Sequence, residues 1–188
     1  MKILILEGIA TSGKSTITKI IKKQLSGLLV SAASEKETHI PIMKQTKELH
    51  IAFFKDLIKR LINEKPELII FDRLYLTQAF RAGVSISEYS ELENILSKYD
   101  TITVFLKVDE NHIADRVTKA AEHRDPTWRE YINTKGRNSS EIADYYISQQ
   151  RKQINLLSAS NLPSMVSDTT NYDFHEIAQK ILTRLKLK

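Results

Sequence analysis

Lys14 and Ser15 end the run GIATSGKS, Gly8 to Ser15, in which two glycines five positions apart are followed by a cation and a hydroxyl. This is the complete pattern G-x-x-x-x-G-K-[ST], and the chemistry it serves is polyphosphate binding. Glycines let successive backbone N–H groups turn toward one phosphate, and a helix starting there presents its positive dipole end to the same anion. On this reading Gly8, Ile9, Ala10, Thr11, Ser12 and Gly13 form the cradle and the Lys14 ammonium spans the β- and γ-phosphates. The Ser15 hydroxyl then holds Mg²⁺ and Thr16 adds an α-phosphate contact. The bare pattern arises by accident in roughly one chain in a hundred of this size. Requiring a strand before it and a helix after it lowers that further.

Other chemistry-bearing residues are spread along the chain. Asp72 and Arg73 follow the apolar run LIIF, Leu68 to Phe71, and polar residues at the end of a buried strand often face a site. Glu35 and Glu37 follow the second predicted strand, where an acidic base and a solvated loop are both open readings. Arg116, Arg124, Arg129 and Arg137 lie in a basic stretch able to close over phosphates, and about two of the four are expected to matter. Phe53 and Phe54 are adjacent and face different ways on a helix, which assigns Phe54 to the core and leaves Phe53 available to stack an acceptor base. Trp128 is expected to pack within that basic stretch rather than stack a base. The five histidines show no metal-binding spacing.

Periodicity supplies the elements that must hold these groups. KILILE, Lys2 to Glu7, reads as a strand buried on both faces, and Ile17, Ile20, Ile21 and Leu25 give the amphipathic helix after the loop, closed by Gly27. Leu28 to Ala32 predicts a second strand and Ser34 to Pro41 a polar loop. A long helix carrying Phe54, Leu57, Ile58, Leu61 and Ile62 is stopped by Pro66. Strands are predicted at Leu68 to Phe71, Thr101 to Leu106 and Ser164 to Ser167. Helices are predicted at Thr77 to Ala82 and Ser87 to Lys98, from the Asp109 cap, from Ser139 to Ala159, and from Asp173, whose pairing with Glu176 has capping-box spacing. Asp125, Pro126 and Gly136 interrupt the pattern with a polar, basic segment expected to be a mobile insertion. Apolar strands alternating with helices predict an α/β fold, a doubly wound five-stranded parallel sheet with helices on both faces. The 188 residues are expected to form one domain, with its site at the carboxyl ends of the strands.

Composition narrows the function classes. The chain has no cysteine, so a disulfide framework and a thiolate zinc site are excluded and the reducing cytoplasm is the expected location. The net charge of +5 is not concentrated in a basic arm, and no apolar run approaches a membrane span, so neither nucleic acid nor membrane is an expected partner. D-x-x-G and [NT]-K-x-D do not occur, which argues against a GTPase, and one acid followed by Arg73 after the third strand is unlike an ATPase motor.

LEGIATSGKST, Leu6 to Thr16, together with FDRLYLTQAFRAG, Phe71 to Gly83, resembles the thymidylate kinase branch of the P-loop nucleoside and nucleotide kinases. FLKVDENHIADR and SDTTNYDFHEIAQKI extend the resemblance weakly through most of the chain. The resemblance implies an ATP- and Mg²⁺-dependent kinase with a lid at about 116–138. It implies that Arg73 clamps the acceptor or transferring phosphate and that Asp72 orders Mg²⁺ or accepts a proton. Arg116, Arg124 and Arg129 become lid candidates, Asp168, Thr169 and Thr170 lie beside the adenine ring, and Gln78 and Phe80 line the acceptor pocket. Dimerisation is common in that family. The chain departs from the pattern at Ile9 and Ala10, where the family commonly carries an acid, and is one residue shorter between Arg73 and Gln78. The preceding helix offers His50, Lys55, Lys59 and Arg60 where the family brings an arginine to an acceptor phosphate. A nucleoside, or a metabolite or antibiotic hydroxyl, therefore stays open as acceptor beside a nucleotide, and an ATP-binding switch module is the alternative outside the kinases.

Overall fold

The structure is a computed structural model and describes residues 1–38, 46–124 and 126–187. Its strands are β1 (Lys2–Glu7), β2 (Val30–Ala33), β3 (Leu68–Asp72), β4 (Asp100–Lys107) and β5 (Ser164–Asp168). They pair in parallel in the order β2-β3-β1-β4-β5. Parallel neighbours need crossovers, and these are helical: α1 (Lys14–Gln24), α2 (Glu35–Thr38), α3 (Lys47–Asn63), α4 (Tyr75–Ala82), α5 (Ser90–Leu96), α6 (Glu110–His123), α7 (Pro126–Asn133), α8 (Ser139–Ser158) and α9 (Phe174–Arg184).

Strand side chains alternate between the two faces, and β1 shows the consequence residue by residue. Ile3 and Ile5 pack with Phe54 of α3, Leu76 of α4, Leu92 of α5 and Leu157 of α8. Leu4 and Leu6 pack on the opposite face with Ile17 and Ile21 of α1 and Ile177 and Ile181 of α9. Each such fully buried side chain stabilises the fold by roughly 2 kcal/mol before entropy is counted. A third cluster joins Ile9 of the glycine loop to Ile113 and Val117 of α6, Ile132 of α7 and Tyr146 of α8, so the loop is tied to the segment above it.

Several boundaries differ from the sequence expectation for identifiable reasons. Leu28 and Leu29 precede β2, and Leu29 is exposed. The expected loop from Ser34 begins as α2, because Ser34 N and Oγ both donate to Glu37 Oε2 at 2.9 and 3.0 Å while Glu37 N donates to Ser34 O at 2.8 Å, which turns the chain at once; His39 to Pro41 lie outside the described residues. The expected helix Ser87 to Lys98 divides into a 3₁₀ turn, Ile86–Tyr89, and α5. Gly83 closes α4 with φ 65°, a left-handed cap suited to glycine. The interrupted segment forms α7, with Pro126 at its first position, where a missing N–H costs nothing. Asp173 precedes α9 without a side-chain cap bond, so the expected box is not made. Among the described residues no helix is long and apolar enough to cross a membrane.

Candidate active site

Gly8 leaves β1 with φ 139°, and a Cβ there would stand 2.6 Å from Leu106 O, so the loop can pass β4 only as glycine. Gly13 has φ 95°, and a Cβ would sink into the Phe174 ring at 2.2 Å. Thr11, at φ 72°, takes a left-handed conformation that costs a non-glycine residue roughly 1 kcal/mol or more. The loop ends on α1, whose first residue is Lys14. Lys14 Nζ donates to Ile9 O at 2.9 Å, Gly8 O at 3.1 Å and Ser12 Oγ at 3.4 Å. Burial, with repulsion from Arg73 second, pushes the ammonium down to about 8 against partial opposition from Asp72, Glu35 and Glu7.

β3 delivers the second half of the site. Ser15 Oγ donates to Asp72 Oδ2 at 3.2 Å, while Asp72 Oδ1 is buried with no hydrogen-bond partner. A hydroxyl and a buried carboxylate with an unused oxygen are hard oxygen donors of the kind Mg²⁺ takes, so the residues fit that ion. Arg73 sits at φ 67°, its N donating to Leu6 O at 2.9 Å and its Nη1 to Gly8 O at 2.8 Å and Thr77 Oγ1 at 3.3 Å. Its Nε lies 3.0 Å from Glu35 Oε1, on α2 after β2. Burial disfavours the guanidinium charge, but Glu35, Asp72 and Glu7 outweigh it and hold Arg73 more firmly protonated. Glu37 turns instead to Ser34 and, at 3.9 Å, to Arg60.

A cleft of about 700 Å³ opens over these groups, lined by Ala10, Thr11, Gly13 to Thr16, Glu35, Asp72 and Arg73. Gly8, Ile9 and Ser12 stand behind that wall, Ile9 and Ser12 fully buried. From α6, Arg116 reaches down and donates to Thr11 O at 3.2 Å, Thr170 O at 3.1 Å and Thr169 O, with its guanidinium 4.0 Å from the Tyr172 ring centre. It thereby links the glycine loop to the turn after β5. Asp168 is exposed and accepts from Thr170 N at 2.7 Å, and Thr169 is buried on Lys107 O. Arg124 lines the cleft with its guanidinium 4.5 Å from the Trp128 ring, whereas Arg129 and Arg137 are exposed and stand away from the wall. Gln78 is buried, Phe80 meets Tyr145 edge-on at 6.4 Å and Phe53 meets Phe54 at 5.8 Å. None of these three is part of the cleft wall.

The wall contains groups that sequence reasoning passed over: Arg81 of α4, Tyr131 of α7, and Tyr146 and Gln149 of α8. Arg81 Nη2 donates to the Tyr131 hydroxyl at 3.4 Å, joining α4 to α7. The sequence placed Thr77 and Arg81 four apart on one helix face, but only the structure, in which Thr77 bonds Arg73, shows that this face looks toward the site. Tyr146 falls at helical spacing with Ala143 and Ile147 in the sequence, and a helix wheel does not distinguish a core from a cleft.

The chain matches no family model and no curated protein. Solved structures do resemble it. The YorR protein from Bacillus subtilis, in complex with phosphorylated GDP, aligns at TM-score 0.67 and 18% identity over 98% of this chain and 95% of its own. Deoxyadenosine kinase from M. mycoides, with dCMP and dCDP products bound, aligns at 0.56 and 20% over 99% of both chains. Thymidylate kinase from Ehrlichia chaffeensis gives 0.59 and 15% over 98% of both, and shikimate kinase from Bacteroides thetaiotaomicron 0.54 and 16% over 100% and 99%. Nucleotide, nucleoside and shikimate kinases thus stand at similar distances, and what they share with this chain is the P-loop kinase fold, a five-stranded parallel sheet flanked by helices.

Proposed function

We propose that this protein is an ATP-dependent phosphotransferase that moves the γ-phosphate of Mg·ATP to the hydroxyl of a nucleoside or similar small acceptor. The observation that carries the reading is the convergence of Lys14, the Ser15–Asp72 pair and the Glu35–Arg73 pair on one cleft. Mg²⁺ held by Ser15 and Asp72 would offset charge on the β- and γ-phosphates. Lys14 turns from the loop carbonyls to those phosphates, and loop N–H groups and the start of α1 fix their position. Arg73 meets the charge that spreads over the transferring phosphoryl group, where a water-poor site strengthens each contact. Glu35, at the cleft mouth, takes the acceptor hydroxyl proton as the new P–O bond forms and ADP leaves with the electrons of the broken one.

The thymidylate-like acceptor expected from resemblance is less well served. A phosphomonoester would have to share Arg73 with the Glu35 carboxylate at 3.0 Å, and like charges there repel. A neutral hydroxyl meets no such conflict. The reading is tested with nucleosides, their monophosphates and small alcohols as acceptors for wild type, Arg73→Ala and Glu35→Gln. We expect hydroxyl acceptors to be phosphorylated, with both substitutions lowering kcat by roughly a hundredfold or more. Monophosphates used in preference, with Glu35→Gln as fast as wild type, would reassign the acceptor; transfer undiminished in Arg73→Ala removes its role.

A further inference from the structure

Glu7 closes β1 on the same face as Ile3 and Ile5, and its carboxylate is fully buried beside the buried polar side chains of Arg73, Thr77 and Gln153. A buried carboxylate is costly unless every oxygen is engaged. Here Oε1 accepts from Leu74 N at 2.8 Å and Thr77 N at 3.4 Å, and Oε2 accepts from Thr77 Oγ1 at 2.6 Å. These donors belong to the turn just after Arg73 and the first helical turn of α4. Thr77 Oγ1, its proton committed to Glu7, can only accept further bonds, and it does so from Arg73 Nη1 at 3.3 Å and Gln153 Nε2 of α8 at 3.1 Å. The same Arg73 nitrogen also meets Gly8 O, which Lys14 shares.

We infer that Glu7 is a positioning residue for Arg73, acting through the Thr77 hydroxyl and the backbone of the turn after β3. Glu7 fixes the direction of the Thr77 proton, and that direction makes Thr77 an acceptor for the guanidinium. Its grip on Leu74 N holds the segment in which Arg73 takes φ 67°, a conformation a residue with a side chain keeps only where its surroundings enforce it. The arginine meant for the transferring phosphate is thus aimed from the carboxyl end of β1, directly behind the glycine loop. A glutamine at position 7 would set its NH2 either against Thr77 Oγ1, which already receives two donors, or against the Leu74 and Thr77 N–H groups, and neither orientation satisfies the arrangement.

The inference rests on the kinase reading for its kinetic consequence, so the experiment pairs kinetics with a measurement that needs no turnover. Glu7→Gln, Thr77→Val and Thr77→Ser are compared with wild type by steady-state transfer and by ¹⁵N relaxation of the Arg73 Nε–Hε group, with melting temperatures as folding controls. We expect Glu7→Gln and Thr77→Val to lower kcat at least roughly tenfold while KM for Mg·ATP stays within roughly threefold, and Arg73 to become mobile in both. Thr77→Ser, which keeps the hydroxyl, should stay within roughly threefold of wild type with Arg73 ordered. Folded Thr77→Val with an ordered Arg73 and wild-type kcat overturns the inference. So does a serine variant as impaired as the valine one, since lost methyl packing would then be the cause. Should Glu7→Gln fail to fold, the Thr77 pair decides. If wild type transfers phosphate to no acceptor, the kinase reading fails while the relaxation data still decide whether Arg73 is held by this network.

Discussion

Lys14 carries the most direct link between local physics and a measurable property. Its ammonium is buried beside Arg73 and pushed down to about 8, so near neutral pH it stays charged with little margin. Triphosphate oxygens favour the charged form, so binding Mg·ATP should raise that value again. The sign follows: above about pH 8 the unbound protein has begun to lose the Lys14 proton, and binding must take one up. Titration calorimetry in two buffers of different ionisation enthalpy at ~pH 8.5 should show fractional proton uptake and weaker affinity than at ~pH 7. Lys14→Arg, whose guanidinium does not titrate there, should abolish the uptake; uptake unchanged in that variant would assign it to another group. The loop was legible because the tightest conformational demands fall on glycines, at φ 139° and 95°, with the cation of the motif following at the helix start; Thr11 at φ 72° was not legible, since its residue type does not announce that conformation. Glu7 was not, since an acid at the end of an apolar run says nothing about which donors the fold will bring to it.

At the scale of elements, α6, α7 and the middle of α8 form the roof of the cleft. Arg116 anchors α6 to both the glycine loop and the turn after β5, whereas Arg124 and Trp128 sit over the opening. Trp128 is the single tryptophan of the chain, so its emission reports this roof alone. Mg·ATP should shift its intensity or wavelength, with no shift in a variant that does not bind nucleotide; a constant spectrum under saturating, calorimetrically verified binding contradicts closure by α7. Gly136 sets the entry to α8, where a Cβ would stand 2.6 Å from both Glu141 Cβ and Ile142 N. Asn138 and Glu141 cap that helix, with Arg137 N and Glu141 N as donors at 2.8 and 3.0 Å. We therefore expect Gly136→Ala to destabilise the protein by roughly 1–3 kcal/mol, seen as a lower urea midpoint, and an unchanged midpoint would show that the turn relaxes cheaply. The helix at Pro126–Asn133 escaped sequence reasoning because proline and polar residues read as breaks, yet proline at a first helical position breaks nothing.

Across the whole molecule, the sheet order brings the ends of β1, β2, β3 and β5 to one edge, so residues as far apart in sequence as Ala10 and Phe174 meet around one cleft. The strand and helix alternation made that architecture legible, because continuous apolar runs such as Leu68 to Phe71 fit parallel strands covered on both faces. The helical wall of the cleft was less legible. Arg81, Tyr131, Tyr146 and Gln149 come from three helices whose relative packing no periodicity encodes, and the expected Gln78, Phe80 and Phe53 lie off the wall.

The central claim, phosphoryl transfer from a nucleotide bound at Lys14, is tested most directly by ADP release from Mg·ATP with a panel of nucleosides, nucleoside monophosphates and small alcohols, for wild type and Lys14→Ala. Release should depend on a hydroxyl acceptor and fall by roughly a thousandfold in the mutant. A flat panel in wild type despite intact Mg·ATP binding, or acceptor-dependent release that survives in Lys14→Ala, would contradict it.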